Sequence, residues 1–389
     1  MPGRRHLFVP GPTNIPDRIL RAMHRASEDH RAADFPELVL PILSDLATVF
    51  DTTDGSVAIF PATGTGGWEA AMTNALDPGA TVLMTGAGHF ADLWVDLGRR
   101  LGYDVRRLQE LEWGEAPPAD RVEELLANDA EREISAVLVV HNETSTGVTA
   151  DVAAIRRAMD DADHPALLLV DGVSSIGSIP YHHDAWRVDV ALTGSQKGLM
   201  LPAGLALLAL SPRAVTLAQR DVGHRGYFDL RPMLEQNAAG WFPYTPSVPM
   251  LYGLRESLTM LLEEGLDAVW ARHHRLADGV RAAVDAWGLV RCCREWRDAS
   301  DTVTTVMTPP GMDARALVAH AHRARSLDLG GGLGELSGMA FRIGHLGDLN
   351  EGMLLGALGL VELSLSDLGA RVPFGSGATA ALRAWTEAL

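Results

Sequence analysis

Leu167-Leu-Leu-Val-Asp-Gly-Val-Ser-Ser175 and Ala191-Leu-Thr-Gly-Ser-Gln-Lys-Gly198 decide the fold. Each is an apolar run that stops at a polar, glycine-bearing turn. An apolar run without alternation suits a strand covered on both faces, as in a parallel sheet. Working outward, the same unit recurs. Residues 56–60, 81–84, 134–140, 166–170, 188–192 and 204–208 read as strands, and 66–74, 91–101 and 152–159 as helices between them. Such alternation predicts an α/β fold, a mostly parallel sheet between two layers of helices. After about residue 220 the rhythm changes. Residues 223–249 show little periodicity, and a long helical stretch, 251–287, breaks near Gly265. Strands at 302–307 and 340–343 and helices at 314–323 and 353–363 then predict a smaller α+β domain. The chain therefore divides into an N-terminal segment (1–19), a large domain (20–264) and a small C-terminal domain (265–389).

Open α/β sheets collect ligands at the C-terminal edge of their strands. The two opening stretches deliver Asp171 and Lys197 to that edge, 26 residues apart (197 − 171), room for a turn, a short excursion and one strand. Taken singly, a turn lysine is ordinarily a solvated surface residue, and an aspartate after a strand is ordinarily a turn cap. Lys197, however, is the only lysine in the chain. Arginine keeps its proton and cannot form an imine, whereas a Schiff-base role needs an amine whose pKa can fall. An amine for an aldehyde, with a carboxylate to keep a ring nitrogen protonated, is what pyridoxal 5′-phosphate requires.

Three further motifs are weaker alone. Phe60-Pro-Ala-Thr-Gly-Thr-Gly-Gly-Trp-Glu69 reads as strand, glycine-rich turn and helix, a phosphate cradle of backbone N–H groups or else plain turn geometry. It lacks the Gly-Lys-Ser/Thr of a P-loop. Val140-His-Asn-Glu-Thr-Ser-Thr-Gly147 brings polar side chains to another strand end. Phe341-Arg-Ile-Gly-His-Leu-Gly347 puts Arg342 at the end of a strand, where it could clamp a carboxylate with its planar fork or form a surface salt bridge. Arg31 is a second arginine for an acidic substrate group, its plainer reading being a salt bridge with Glu28 or Asp29.

The bulk numbers exclude other classes. A formal net charge of −17 opposes nucleic-acid phosphates and gives anionic substrates no long-range attraction, so any anion must be held locally. Cys292 and Cys293 are adjacent, which is neither a disulfide framework nor a zinc spacing; a reducing, cytoplasmic setting follows. No apolar stretch is long enough to span a membrane, and no metal cluster is expected.

These blocks, in this order, resemble the class V, fold type I, pyridoxal-phosphate aminotransferases, and within them the serine–glyoxylate and alanine–glyoxylate group. The resemblance runs from Gly11-Pro-Thr-Asn-Ile-Pro16 through Thr63–Glu69, His141–Thr144, Asp171–Ser175, Gly194–Lys197, Pro243-Tyr-Thr-Pro246 and Phe341–Gly347 to Gly375-Ser-Gly377. It implies that Lys197 is the Schiff-base lysine and Asp171 the ring-nitrogen partner. Thr65, Gly66 and Gly67 hold the phosphate with Gln196 beside it, Phe90 and Val173 cover the two ring faces, and Thr144 reaches the ring hydroxyl. Tyr244 and Thr245 complete the phosphate site of a neighbouring subunit, making a homodimer with shared sites. Arg342 takes the substrate α-carboxylate. The expected reaction moves an amino group from a small L-amino acid to glyoxylate, serine first, alanine and aspartate next. Cysteine desulfurase chemistry on the same fold, or an inactive binding protein, are the alternatives.

Overall fold

The computed structural model describes residues 5–223 and 225–387. In chain order its strands are β1 (His6–Phe8), β2 (Ser56–Phe60), β3 (Thr81–Met84), β4 (Asp104–Arg107), β5 (Ile134–Val140), β6 (Asn142–Glu143), β7 (Val148–Thr149), β8 (Leu167–Asp171), β9 (Val190–Gly194), β10 (Ala206–Leu210), β11 (Val303–Met307), β12 (Leu327–Gly331) and β13 (Ala340–Gly344). Seven form one sheet in the order β2-β10-β9-β8-β5-β3-β4. β4, β3, β5, β8 and β9 run parallel, and β10 is antiparallel to both neighbours.

The absence of alternation in β8 has a direct cause. Leu168 and Val170 pack on one side of the sheet with the helices Phe35–Phe50, Val152–Asp161 and Val248–Glu264. Leu167 and Leu169 pack on the other with Gly64–Ala75 and His89–Arg100. Both faces are apolar because both are covered, and each such side chain contributes about 1.5–3 kcal/mol on burial. The mostly parallel α/β sheet expected from the sequence is the sheet observed.

A second sheet, β1-β12-β13-β11, carries its own core, with Phe8, Val306, Leu329 and Phe341 buried among the helices Leu266–Ala286, Ala314–Arg325 and Glu351–Asp367. The long helical stretch breaks at Gly265, where φ is +85°. Several elements are absent from the reading above, among them β4, β12 and the helix Phe35–Phe50, and two further differences concern the ends of the domains. β1 carries the N-terminal segment into the second sheet, pairing parallel to β12. The stretch 223–249 also contains a helix, Leu230–Ala238, started by Asp229, whose carboxylate accepts from Arg231 N at 3.0 Å. Its buried face is Leu230, Met233 and Asn237, the last accepting from Ile59 N through Oδ1, so its apolar stripe is short and ends on a polar residue. Among the described residues no helix is long and apolar enough to cross a membrane.

Candidate active site

The turns that follow β2, β3, β5, β8 and β9 meet at one edge of the large sheet and enclose a cavity of about 100 Å³. Thr63, Gly64, Thr65 and Trp68 come from the first of these turns and its helix, Phe90 from the second, Asn142 and Thr144 from the third. Asp171, Val173 and Ser174 come from the fourth, Gln196 and Lys197 from the last.

Lys197 is buried, and its Nζ donates to the Pro10 carbonyl. Burial, with the nearby Arg342 guanidinium, pushes its ammonium down to about 8, while Asp171 and Glu143 oppose the shift. The N-terminal segment makes this enclosure. Thr13 N donates to Gln196 O at 3.2 Å, and Gly11, at φ +130°, passes so close that a Cβ there would collide with the lysine side chain. Asp171 is equally buried. Its Oδ1 accepts from Val173 N at 2.7 Å and its Oδ2 from Trp68 Nε1 at 2.9 Å. Burial pushes its carboxyl up to about 6 against the pull of those two donors.

Phe90 and Val173 both line the cavity. Phe90 is fixed through its backbone. Glu143, buried on β6, accepts from Phe90 N and Ala91 N, each at 3.1 Å, with Oε2, and from Ser145 N and Oγ with Oε1. Burial pushes the Glu143 carboxyl up, and its four donors pull it down. Thr144 Oγ1 donates to Ser174 Oγ at 2.8 Å, and Asn142 Nδ2 donates to the same oxygen.

The cradle after β2 lies slightly earlier than the sequence reading put it. Thr63, Gly64 and Thr65 line the cavity, whereas Gly67 N donates to Thr63 O inside the helix, and a Cβ on Gly66 would meet Phe228. The unbonded N–H groups at the start of the helix are those that can hold a phosphate. Gln196 fits the same group: its amide is at the cavity wall, with Oε1 buried and unpartnered among the described residues, free to turn its donor end toward a phosphate. With a buried amine, a buried carboxylate and this cradle around one cavity, the residues fit pyridoxal phosphate.

Arg342 stands in the middle of β13, not at its end, and is buried. Nε donates to Gly331 O at 2.8 Å and Nη1 to Thr144 O at 3.2 Å, so it is not a surface salt bridge. Nη2 donates to no described residue. Burial lowers the guanidinium to about 10, and it remains a cation.

Other residues singled out in the sequence do not join the cavity of their own chain. Tyr244 stacks on Tyr227, ring centroids 4.5 Å apart, and donates to Tyr227 O; Thr245 is exposed. Arg31 is exposed beside His30, while Glu28 is bonded to Arg25 and Tyr252 instead. Cys292 and Cys293 lie outside the cavity lining, and burial pushes both thiols up to about 11, unlike a reactive cysteine. A larger hollow, about 950 Å³, runs along β4, but its arginines are already engaged, Arg106 with Glu133 and Arg121 with Gln109 O. Trp68, Glu143, Pro10 and Thr63 were given no role in the sequence reading. For Trp68, Glu143 and Thr63 the only signal was a place inside the motif blocks, and Pro10 stands just before the first of them.

Residues 5–324 match the family model for class V aminotransferases. The chain is 52% identical over 387 residues to the serine–glyoxylate aminotransferase of Methylorubrum extorquens, spanning 98% of this chain and 96% of that one. It is 48% identical over 381 residues to the L-aspartate–glyoxylate aminotransferase of Paracoccus denitrificans, at 98% and 96% coverage. Its fold is similar to that of ureidoglycine–glyoxylate aminotransferase from Bacillus subtilis, TM-score 0.89, 27% identity, 99% of each chain. The sheet edge that encloses Lys197 and Asp171 lies within a match of this length, and the chain belongs to the class V aminotransferase family.

Proposed function

We propose that the protein transfers the amino group of a small L-amino acid to glyoxylate, giving glycine and a 2-oxo acid, with serine as the preferred donor. The observation that carries this reading is the buried Lys197 amine and the buried Asp171 carboxylate on one small cavity that Phe90 and Val173 also line. The relatives named above support glyoxylate as acceptor.

When bound, pyridoxal phosphate supplies an aldehyde for the donor amine and an electron-withdrawing ring. The chain supplies the rest. Lys197 would hold the cofactor through its amine and would move the proton at the substrate Cα, its lowered pKa suiting it to take and return that proton near neutrality. Asp171 keeps the proton on the ring nitrogen. Thr65 and the helix start hold the phosphate with Gln196, Thr144 bonds the ring hydroxyl, and Phe90 and Val173 fix the ring plane. The open edge of Arg342 binds the carboxylate shared by donor and acceptor. We also read the enzyme as a cytoplasmic homodimer in which Tyr244 and Thr245 serve the partner's site, and the division at residues 19 and 264 as its domain boundaries.

A stopped-flow panel of serine, alanine and aspartate against glyoxylate tests the donor. Serine should give the highest kcat/KM, and Arg31→Ala should change all three equally or not at all, since Arg31 lies exposed beside His30. A leading kcat/KM for aspartate that falls selectively in Arg31→Ala would replace serine with aspartate. Sulfide release from cysteine would replace the reaction itself.

A further inference from the structure

Asp171 is gripped from two sides, and the two grips differ in kind. The Val173 donor is a backbone N–H two residues along, which any residue there but proline would supply. The Trp68 donor comes from a helix 103 residues away in sequence and needs this side chain. A carboxylate bonded through one oxygen can still turn about its Cβ–Cγ bond; a donor on each oxygen stops that rotation. The indole is itself held. Trp68 is buried and stacked on Trp94, centroids 5.8 Å apart and planes 11° from parallel. Trp94 Nε1 is buried with no partner among the described residues. The two stacked rings thus differ in one respect that matters here: one N–H is engaged and the other is not.

We propose that Trp68 is a positioning residue for the transfer, its indole N–H fixing the orientation of the Asp171 carboxylate and favouring its anionic form. The proposal rests on the reading of Asp171 as partner of the cofactor's ring nitrogen. Burial and the Glu143 charge press Asp171 toward protonation, while Val173 N–H, Trp68 N–H and Lys197 resist. The sign follows. Loss of a donor raises the carboxyl pKa further, so the anion is lost first on the acid side.

Two matched variants separate this role from packing. Trp68→Phe keeps a stacking ring and removes the engaged N–H; Trp94→Phe removes a similar ring area and no engaged bond. The dissociation constant of pyridoxal phosphate from the full chain is measured by equilibrium dialysis at about pH 6, where Asp171 titrates, and at about pH 8, each relative to the parent chain. Trp68→Phe should weaken binding about tenfold at the lower pH, the scale of one charged hydrogen bond, and much less at the higher. Its kcat profile should lose activity at a higher pH on the acid limb. Trp94→Phe should show neither effect. Equal weakening at both pH values, or identical behaviour of the two variants, overturns the proposal. Asp171→Asn distinguishes the two failures. If it leaves affinity and its pH dependence unchanged, the reading of Asp171 fails; if it removes the pH dependence and Trp68→Phe merely tracks Trp94→Phe, only the role of Trp68 fails.

Discussion

Lys197 shows how one residue's chemistry is set by what surrounds it. The side chain is buried, its Nζ lies against the Pro10 carbonyl, and Arg342 adds a like charge nearby. Burial and the Arg342 charge disfavour the ammonium and bring its pKa to about 8. Uptake of pyridoxal phosphate by the cofactor-free protein requires the neutral amine, whose fraction rises with pH. The uptake rate, followed by absorbance, should therefore rise through a midpoint near 8 and level off, where an unperturbed lysine would still be climbing toward about 10.4. Borohydride should fix the cofactor on Lys197, and Lys197→Ala should lose turnover by about a thousandfold or more, since it removes a group that moves the proton. Substantial residual turnover in that variant would transfer the role to another residue. Lys197 and Asp171 were legible in the sequence because each ends an apolar strand and because their pairing has a chemical meaning. Trp68 and Glu143 were not, because their roles exist only across the fold: Trp68 meets Asp171 103 positions on, and Glu143 meets the Phe90 N–H 53 positions back.

Among the elements, the helix His89–Arg100 best shows how the scaffold aims a side chain. Its first N–H groups would be unpaired inside the protein, and an anion at a helix start is favoured. Glu143 supplies it, taking Phe90 N and Ala91 N, while Ser145 Oγ takes His89 N. Gly88, at φ +154°, makes room: a Cβ there would collide with the Glu143 side chain. Glu143→Gln puts an amide donor where backbone donors already point, so it should cost about 1–3 kcal/mol in chemical unfolding and weaken pyridoxal phosphate binding by loosening Phe90. Gly88→Ala should do the same through the collision and the strained φ. Unfolding curves and dialysis check both, and unchanged affinity in the two variants would mean that Phe90 holds its place without this cap. Six strands of the large sheet were readable as apolar runs because both faces are buried; the edge strand β4, Asp104-Val-Arg-Arg107, was not, since only Val105 in it is fully buried. β12, Leu327-Asp-Leu-Gly-Gly331, and the helix Leu230–Ala238 were not, since each is short: β12 buries two leucines before its glycines, and the helix buries Leu230 and Met233 beside the polar Asn237.

For the whole molecule, the N-terminal segment matters more than its length suggests. β1 pairs with β12 in the second sheet, and within a few residues Pro10, Gly11 and Thr13 lie over Lys197 and Gln196 at the edge of the first. Arg342 makes the return link, its guanidinium bonded to Gly331 O in its own sheet and to Thr144 O at the large sheet's edge. The second sheet thus braces residues that line the cavity, Lys197 through Pro10, Gln196 through Thr13 and Thr144 through Arg342. The phosphate end differs. The Tyr244 hydroxyl donates to Tyr227 O; Tyr227 and Thr245 are exposed, Tyr244 is half-buried, and none of the three lines the chain's own cavity. A stacked aromatic pair beside an exposed threonine suits a subunit interface, where aromatic side chains concentrate binding energy. If these residues complete the partner's phosphate site, Lys197→Ala subunits and Tyr244→Ala/Thr245→Ala subunits each make inactive homodimers, yet a mixed dimer holds one intact site. That site takes Lys197 from one chain and Tyr244 and Thr245 from the other. Mixing the two inactive proteins under conditions that exchange subunits should restore activity, up to about a quarter of the parent level at equal amounts if exchange is statistical. No recovery after exchange has been verified by mass, or full activity in a monomer, would place Tyr244 and Thr245 outside the reaction.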